Sequence, residues 1–176
     1  MLNIFKESEN LLLEPLEQKH FSDNYVSWLN NDDVVKYNSH GVFPNNTFKT
    51  KEYINSIQNS TTNIVFAIIE KGSNLHIGNA SIQSIDYINS NADLAILLGD
   101  KKSWGKGYAT EIFKLLIEHS FNTLNLHKVT AGTTSDNTAM IKVITNLNMK
   151  QEATLQDQIQ RNNKFIDTYL YGLINQ

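Results

Sequence analysis

The chain has 176 residues, 40% of them hydrophobic, with 15 basic and 18 acidic side chains, a net charge of −3 and no cysteine. This suits a globular domain and argues against disorder. It excludes disulfides, thiolate catalysis and cysteine metal sites, and it leaves no overall basic footprint for nucleic acid.

The polar, mixed-charge start from Met1 to Asn10 does not read as a signal peptide, and no apolar run approaches the ~20 residues that span a bilayer. A cytoplasmic protein without membrane association is expected. With only 2 prolines, no repeat and no low-complexity tract, residues 1–176 are read as a single domain. Asn10–Leu16 reads as a strand. Glu17–Asn30 follows as a helix, with Phe21, Tyr25, Trp28 and Leu29 at helical spacing. A short helical piece is expected at Asp33–Tyr37 and a loop at Ser39–Asn46. A third helix spans Thr47–Gln58, with Phe48, Ile54 and Ile57 as its apolar positions.

Ile64–Ile69 is an unbroken, β-branched apolar run, the pattern of a strand buried on both faces. After the turn at Lys71–Asn74, the apolar phase set by Leu75 and Ile77 slips to Ala80 and Ile82. The slip predicts a bulge at Gly78–Asn79. Ala92–Leu98 is a further apolar strand whose single charge is Asp93. Ala109–Phe121 is the clearest helix, with Ile112, Phe113, Leu116 and Ile117 on one stripe. His127–Thr133 reads as a strand and Asp136–Leu147 as a helix. A hairpin of Glu152–Gln160 and Lys164–Ile174 turns at Asn162–Asn163. The order is that of a mixed α/β domain.

Lys102-Ser103-Trp104-Gly105-Lys106-Gly107-Tyr108-Ala109-Thr110 lies between an apolar strand and an amphipathic helix. Two glycines let the backbone approach a ligand, and a helix start offers unpaired N–H groups and a positive dipole end. Together they form an anion site suited to a pyrophosphate, with Lys101, Lys102 and Lys106 adding charge. The same pattern also fits an ordinary glycine-containing turn with surface lysines. It is not a P-loop, since no Gly-Lys-Ser/Thr follows at the required spacing, and it lacks the third glycine of a dinucleotide fingerprint. The five histidines are scattered and show no metal-ligand spacing.

The stretch from Ala92 through Lys101 into Trp104–Glu111 resembles the GNAT family of N-acetyltransferases, most closely the branch acting on ribosomal-protein N-termini, polyamines and amino sugars. The likeness extends to Leu11–Leu16, Trp28–Asn30, Leu124–Val129 and Asn137. It implies a single-domain fold with a mixed, mostly antiparallel sheet that splays after the fourth strand and is flanked by helices. It implies acetyl-coenzyme A as cosubstrate, held along Leu97, Leu98 and Gly99, by Lys102 and Trp104, by Gly105, Lys106, Gly107, Tyr108, Ala109 and Thr110, and by Asn137, with no metal. Lys102 stands where the family usually has Gln or Arg, and Asn148-Met149 replaces Gly-Phe. Asp93 stands where relatives carry a glutamate that works through water, so it is the candidate base. Ile144 occupies the place of the family's usual tyrosine acid, and Tyr169, on the last strand with Asp167 and Tyr171, is the candidate replacement. His127 is expected to be structural, and His40 to border the acceptor pocket. The implied reaction is acetyl transfer to a primary amine by a monomer or homodimer, the acceptor being a small amine such as an amino sugar, or else a protein N-terminus. The alternative is a silent coenzyme A-binding module.

Overall fold

The computed structural model describes residues 4–175. Eight strands form one sheet in the order β1-β2-β3-β4-β5-β6-β8-β7. They are β1 Lys6–Glu7, β2 Leu11–Pro15, β3 Ile64–Glu70, β4 Leu75–Asp86, β5 Asn91–Leu98, β6 Lys128–Thr134, β7 Lys150–Arg161 and β8 Lys164–Ile174. The helices are α1 Asp23–Leu29, α2 Asp32–Val35, α3 Thr47–Ile57, α4 Tyr108–Asn122 and α5 Thr138–Asn146. All neighbouring strands are antiparallel except β5 and β6.

Apolar side chains fill both faces of the sheet. On one face Leu11, Leu13, Phe66, Ile68, Ile82 and Leu94 pack with Ile112, Phe113 and Leu116 of α4 and Ile144 of α5. On the other, Leu12, Leu16, Ala67 and Ile69 pack with Tyr25, Trp28 and Leu29 of α1 and Ile54 of α3. Alternate residues of β2 and β3 therefore serve opposite cores, which is why these strands read as continuous apolar runs.

The expected helix at Glu17–Asn30 is broken. Glu14 on β2 is buried and takes Lys19 Nζ at 2.6 Å and His20 Nε2 at 3.1 Å. A buried carboxylate requires such partners. They hold Gln18–His20 as a 3₁₀ turn against the strand. Ser22 then caps α1 afresh, its hydroxyl accepting from Tyr25 N at 3.1 Å. Asn31 and Asn46 cap α2 and α3 in the same way. The splay falls after the expected strand, the fourth of those the pattern identified, which is β5 once the two-residue β1 is counted.

The bulge falls where the phase slips. Ile68 pairs with Gly78 but Ile69 with His76, leaving Ile77 as the extra residue. The Ile77 carbonyl accepts from both Gly99 N at 2.9 Å and Asp100 N at 3.0 Å. It thereby anchors the chain where it leaves β5.

A side chain at Gly78 would collide with the Leu97 carbonyl, whereas one at Gly72 would meet nothing within 4 Å. Gly78→Ala should therefore cost about 1–3 kcal/mol of folding stability. Gly72→Ala should stay within about 0.5 kcal/mol of the parent. Urea unfolding of both variants measures the difference.

Candidate active site

β5 and β6 pair over three positions only: Asn91 with Lys128, Ala92 with Val129 and Asp93 with Thr130. Beyond Asp93 the strands diverge, and residues 94–98 of β5 turn an unpaired edge toward the gap. Asp93 sits where the gap begins. Its Oδ1 accepts from Thr130 Oγ1 at 3.0 Å and its Oδ2 from Gln83 Nε2 at 2.9 Å. Burial pushes the Asp93 carboxyl above the usual aspartate range, and the two hydrogen bonds oppose that shift without cancelling it.

At the far end of β5, Asp100 organises the loop into α4. Its carboxylate accepts from Lys102 N at 3.0 Å and holds a 3₁₀ turn over Lys101–Ser103, with Ser103 buried beneath. Trp104 is 43% exposed and its indole N–H donates to the Leu98 carbonyl at 2.9 Å, which ties the loop back to the end of β5. Gly105 and Gly107 follow with φ of +75° and +84°. Gly107 is the N-cap of α4 in the left-handed region, where a side chain is strained. No atom lies within 4 Å of where a Cβ would stand at either glycine, so the space over the loop is open. Among the described residues, no acceptor takes the backbone N–H groups of Gly105 through Ala109. A run of unpaired donors at a helix start suits an anion such as a pyrophosphate.

The lysines contribute less than their number promised. Lys101 pairs with Asp33. Lys106 lies 3.0 Å from Glu70, which also accepts from the Tyr108 hydroxyl at 2.8 Å. Hydrogen bonds from Ser73, Tyr108 and Lys106 bring the Glu70 carboxyl down to about 2, so it stays ionised. Among the described residues Lys102 alone of the three has no carboxylate partner.

A cavity of about 290 Å³ opens on the α1–α3 face of the sheet, floored by Ala95, Ile96 and Leu97 of β5 and by Asn79, Ser81 and Gln83 of β4. Thr50 and Tyr53 of α3 and Tyr25 of α1 wall it, and His40 lines it. Burial raises the Tyr25 and Tyr53 phenols, keeping both protonated. Gln83 lines this cavity while its amide donates to Asp93, so it links the cavity to that carboxylate.

The other expected site residues lie on the opposite face. Asn137 caps α5 by accepting from Met140 N at 3.3 Å and donates Nδ2 to Thr133 Oγ1 at 3.0 Å. Tyr169 lies across β6–β8 from Thr133 and packs, half-buried, against the α4–α5 core. Tyr171 is buried in that core, and neither tyrosine lines the cavity. Ile144 is fully buried there. The residues that sequence reasoning missed are Gln83, Thr130 and Glu70. Gln83 and Thr130 stand opposite Asp93 on adjacent strands, and no local pattern marks such cross-strand partners. Among the described residues no group of three or more His, Cys, Asp or Glu side chains could hold a metal, and no helix is long and apolar enough to cross a membrane.

A single mixed α/β sheet opened between two parallel strands, with unpaired N–H groups leading into a helix at one end, is the class of protein that the fold and the site define. The family described as acetyltransferase (GNAT) domain matches residues 10–150, and the chain belongs to that family. It is 34% identical over 109 residues to the uncharacterised N-acetyltransferase p20 of Bacillus licheniformis, a match spanning 62% of this chain and 61% of that protein. Its fold is shared with spermidine N-acetyltransferase of Vibrio cholerae in complex with coenzyme A and spermine, at 21% identity and a TM-score of 0.82 over 95% of this chain and 96% of that one. It is also shared with RimL, a ribosomal alpha-N-protein acetyltransferase in complex with coenzyme A, at 16% identity and a TM-score of 0.85 over 97% of each chain.

Removing a donor from a carboxylate destabilises its charged form. Gln83→Leu should therefore move the protonation midpoint of Asp93 further upward while Thr130 still holds the other oxygen. Carbon-detected NMR titration of the Asp93 carboxyl in both proteins reads the shift, and a downward movement would contradict the geometry.

Proposed function

We propose that the chain transfers an acetyl group from acetyl-coenzyme A to a primary amine, either a small amine such as an amino sugar or a protein N-terminus. One observation carries the reading: unpaired N–H groups from Gly105 to Ala109 continue from a strand edge that opens after a carboxylate. The donors fit a pyrophosphate and the edge fits an extended amide-bearing arm. Leu97, Leu98, Gly99, Lys102 and the segment Trp104–Thr110 are the residues proposed to hold coenzyme A, with Asn137 on the far side of the gap. The cosubstrate brings its acetyl group as a thioester.

The residues then divide the work. The β5 edge orients the carbonyl and offers N–H groups to its developing oxyanion. Asp93 accepts the amine proton through Gln83-side water, and its raised pKa makes it a better base than an ordinary aspartate. Tyr169 is the proposed donor to the departing thiolate. The solved neighbours act on a polyamine and on a ribosomal protein, so amine acceptors of both sizes occur on this fold. A second reading, a silent coenzyme A-binding module, draws on Ile144, which is buried in the core and offers no proton.

Asp93→Asn should lower turnover by ~10²- to 10⁴-fold with coenzyme A affinity nearly unchanged. In the parent, kcat/KM should fall as pH drops through a midpoint above the usual aspartate range, because protonated Asp93 accepts nothing. That limb should vanish in the variant. Parent-like rates in Asp93→Asn would return the residue to a structural role, and bound coenzyme A without turnover of any amine would favour the silent module.

Lys102→Ala should weaken coenzyme A more than Lys106→Ala does, since Glu70 already neutralises Lys106. The gap should narrow at high salt, where exposed charges are screened. Calorimetric titration at two ionic strengths measures both effects.

A further inference from the structure

We propose that the cavity selects a hydroxylated acceptor carrying no second positive charge, the class of amino sugars and their phosphates, and turns polyamines away. This rests on the acetyl-transfer reading above and goes beyond it by assigning the pocket's chemistry.

Two observations carry it. Thr50 is 3% exposed, lines the cavity, and its hydroxyl has no hydrogen-bond partner among the described residues. A buried hydroxyl without a partner is costly, and an acceptor hydroxyl seated there removes that cost. Sites built this way discriminate strongly against analogues that lack the matching group. Thr50 is flanked by other neutral hydrogen-bonding groups, the Tyr53 phenol and the Asn79 and Gln83 amides among them.

The second observation is charge. Of the residues lining the cavity none is a carboxylate, and the one with a permanent charge is Lys49. The lysine ammonium is tethered to the Pro44 carbonyl at 3.1 Å, close to where the cavity is bordered by Asn45. Asp93, the nearby acid, has both oxygens engaged, by Gln83 and Thr130. A polyamine bound by one nitrogen must place its other ammonium groups somewhere along these walls. It would find Lys49 and no counter-ion. Like charge at a binding surface rejects the wrong partner, whereas a phosphate or a neutral hydroxyl would be tolerated or drawn in. The pocket thus runs against the chain's net negative charge.

The test uses the full chain, acetyl-coenzyme A and four acceptors: glucosamine, glucosamine phosphate, spermidine and a short peptide with a free N-terminus. Thiol release should give both amino sugars a kcat/KM at least about tenfold above spermidine and the peptide at low salt. Thr50→Val, which keeps the shape and removes the hydroxyl, should lower kcat/KM for glucosamine about tenfold and that for spermidine by less. Lys49→Glu should raise spermidine and lower glucosamine phosphate. Spermidine or the peptide equal to or better than both amino sugars in the parent would overturn the inference, as would equal losses for all acceptors in Thr50→Val. If no acceptor is acetylated, calorimetry on the coenzyme A-loaded protein decides. Tighter binding of glucosamine than spermidine, weakened by Thr50→Val, upholds the pocket assignment while the acetyl-transfer reading falls. Equal or absent binding of the two overturns it.

Discussion

The short parallel contact between β5 and β6 is the constraint on which the rest of the site depends. Parallel strands cannot be joined by a tight turn, so the chain must leave β5, cross through α4 and return as β6. With pairing confined to Asn91–Asp93 and Lys128–Thr130, the crossover starts from a strand that has already parted from its neighbour. The gap, the loop above it and the helix start beyond it are then consequences of one geometric choice. The bulge at Ile77 completes the arrangement from the other side. Its extra residue turns a carbonyl toward Gly99 and Asp100, pinning the exit from β5 so that Asp100 can build the loop.

An acidic chain gains little by building an anion site from lysines. Two of the three lysines at the loop find a carboxylate nearby, Lys101 with Asp33 and Lys106 with Glu70. Because Glu70 remains ionised down to about 2, its claim on Lys106 holds across any working pH. Backbone N–H groups are not neutralised in that way. Their direction is set by the positive φ values of Gly105 and Gly107 and by the first turn of α4, and no side-chain rearrangement cancels them.

Most of the architecture was legible because it obeys short-range periodicity. The apolar runs of β3 and β5, the stripe of α4 and the phase slip before Ala80 each follow from local steric and burial rules. The failures arise where a distant partner decides. Glu14 draws Lys19 and His20 onto β2 and breaks a helix that the spacing of Phe21, Tyr25 and Trp28 had suggested was continuous. At the site, Asp93 was visible as a lone charge in an apolar strand. Its regulation by Gln83 and Thr130 was not, because cross-strand neighbours are set by register and register depends on the turns between strands. Lys106 is visible as a charge between two glycines, but its pairing with Glu70, 36 residues earlier in the chain, is not.

The two groups proposed for proton transfer lie on opposite faces of the sheet, and this bears on how the reaction can proceed with Ile144 in the core. Asp93 shares its face with Thr130, Gln83 and the cavity. Tyr169 stands beside Thr133 on the face covered by α4 and α5, near the Thr133–Asn137 hydrogen bond. A continuous sheet would separate the two faces completely, because its paired backbone leaves no passage. The sheet is open only beyond Asp93, so a group lying in that opening is the one place from which both faces can be reached. A proton removed on the cavity side and a proton delivered on the α5 side therefore need not be relayed through one residue. The demand on the second step is also modest, since a thiol with a free pKa of ~8.5 leaves readily as thiolate near neutral pH. In this arrangement Ile144 serves packing, and the proposed chemistry draws instead on the opening in the sheet and on the carboxylate at its apex.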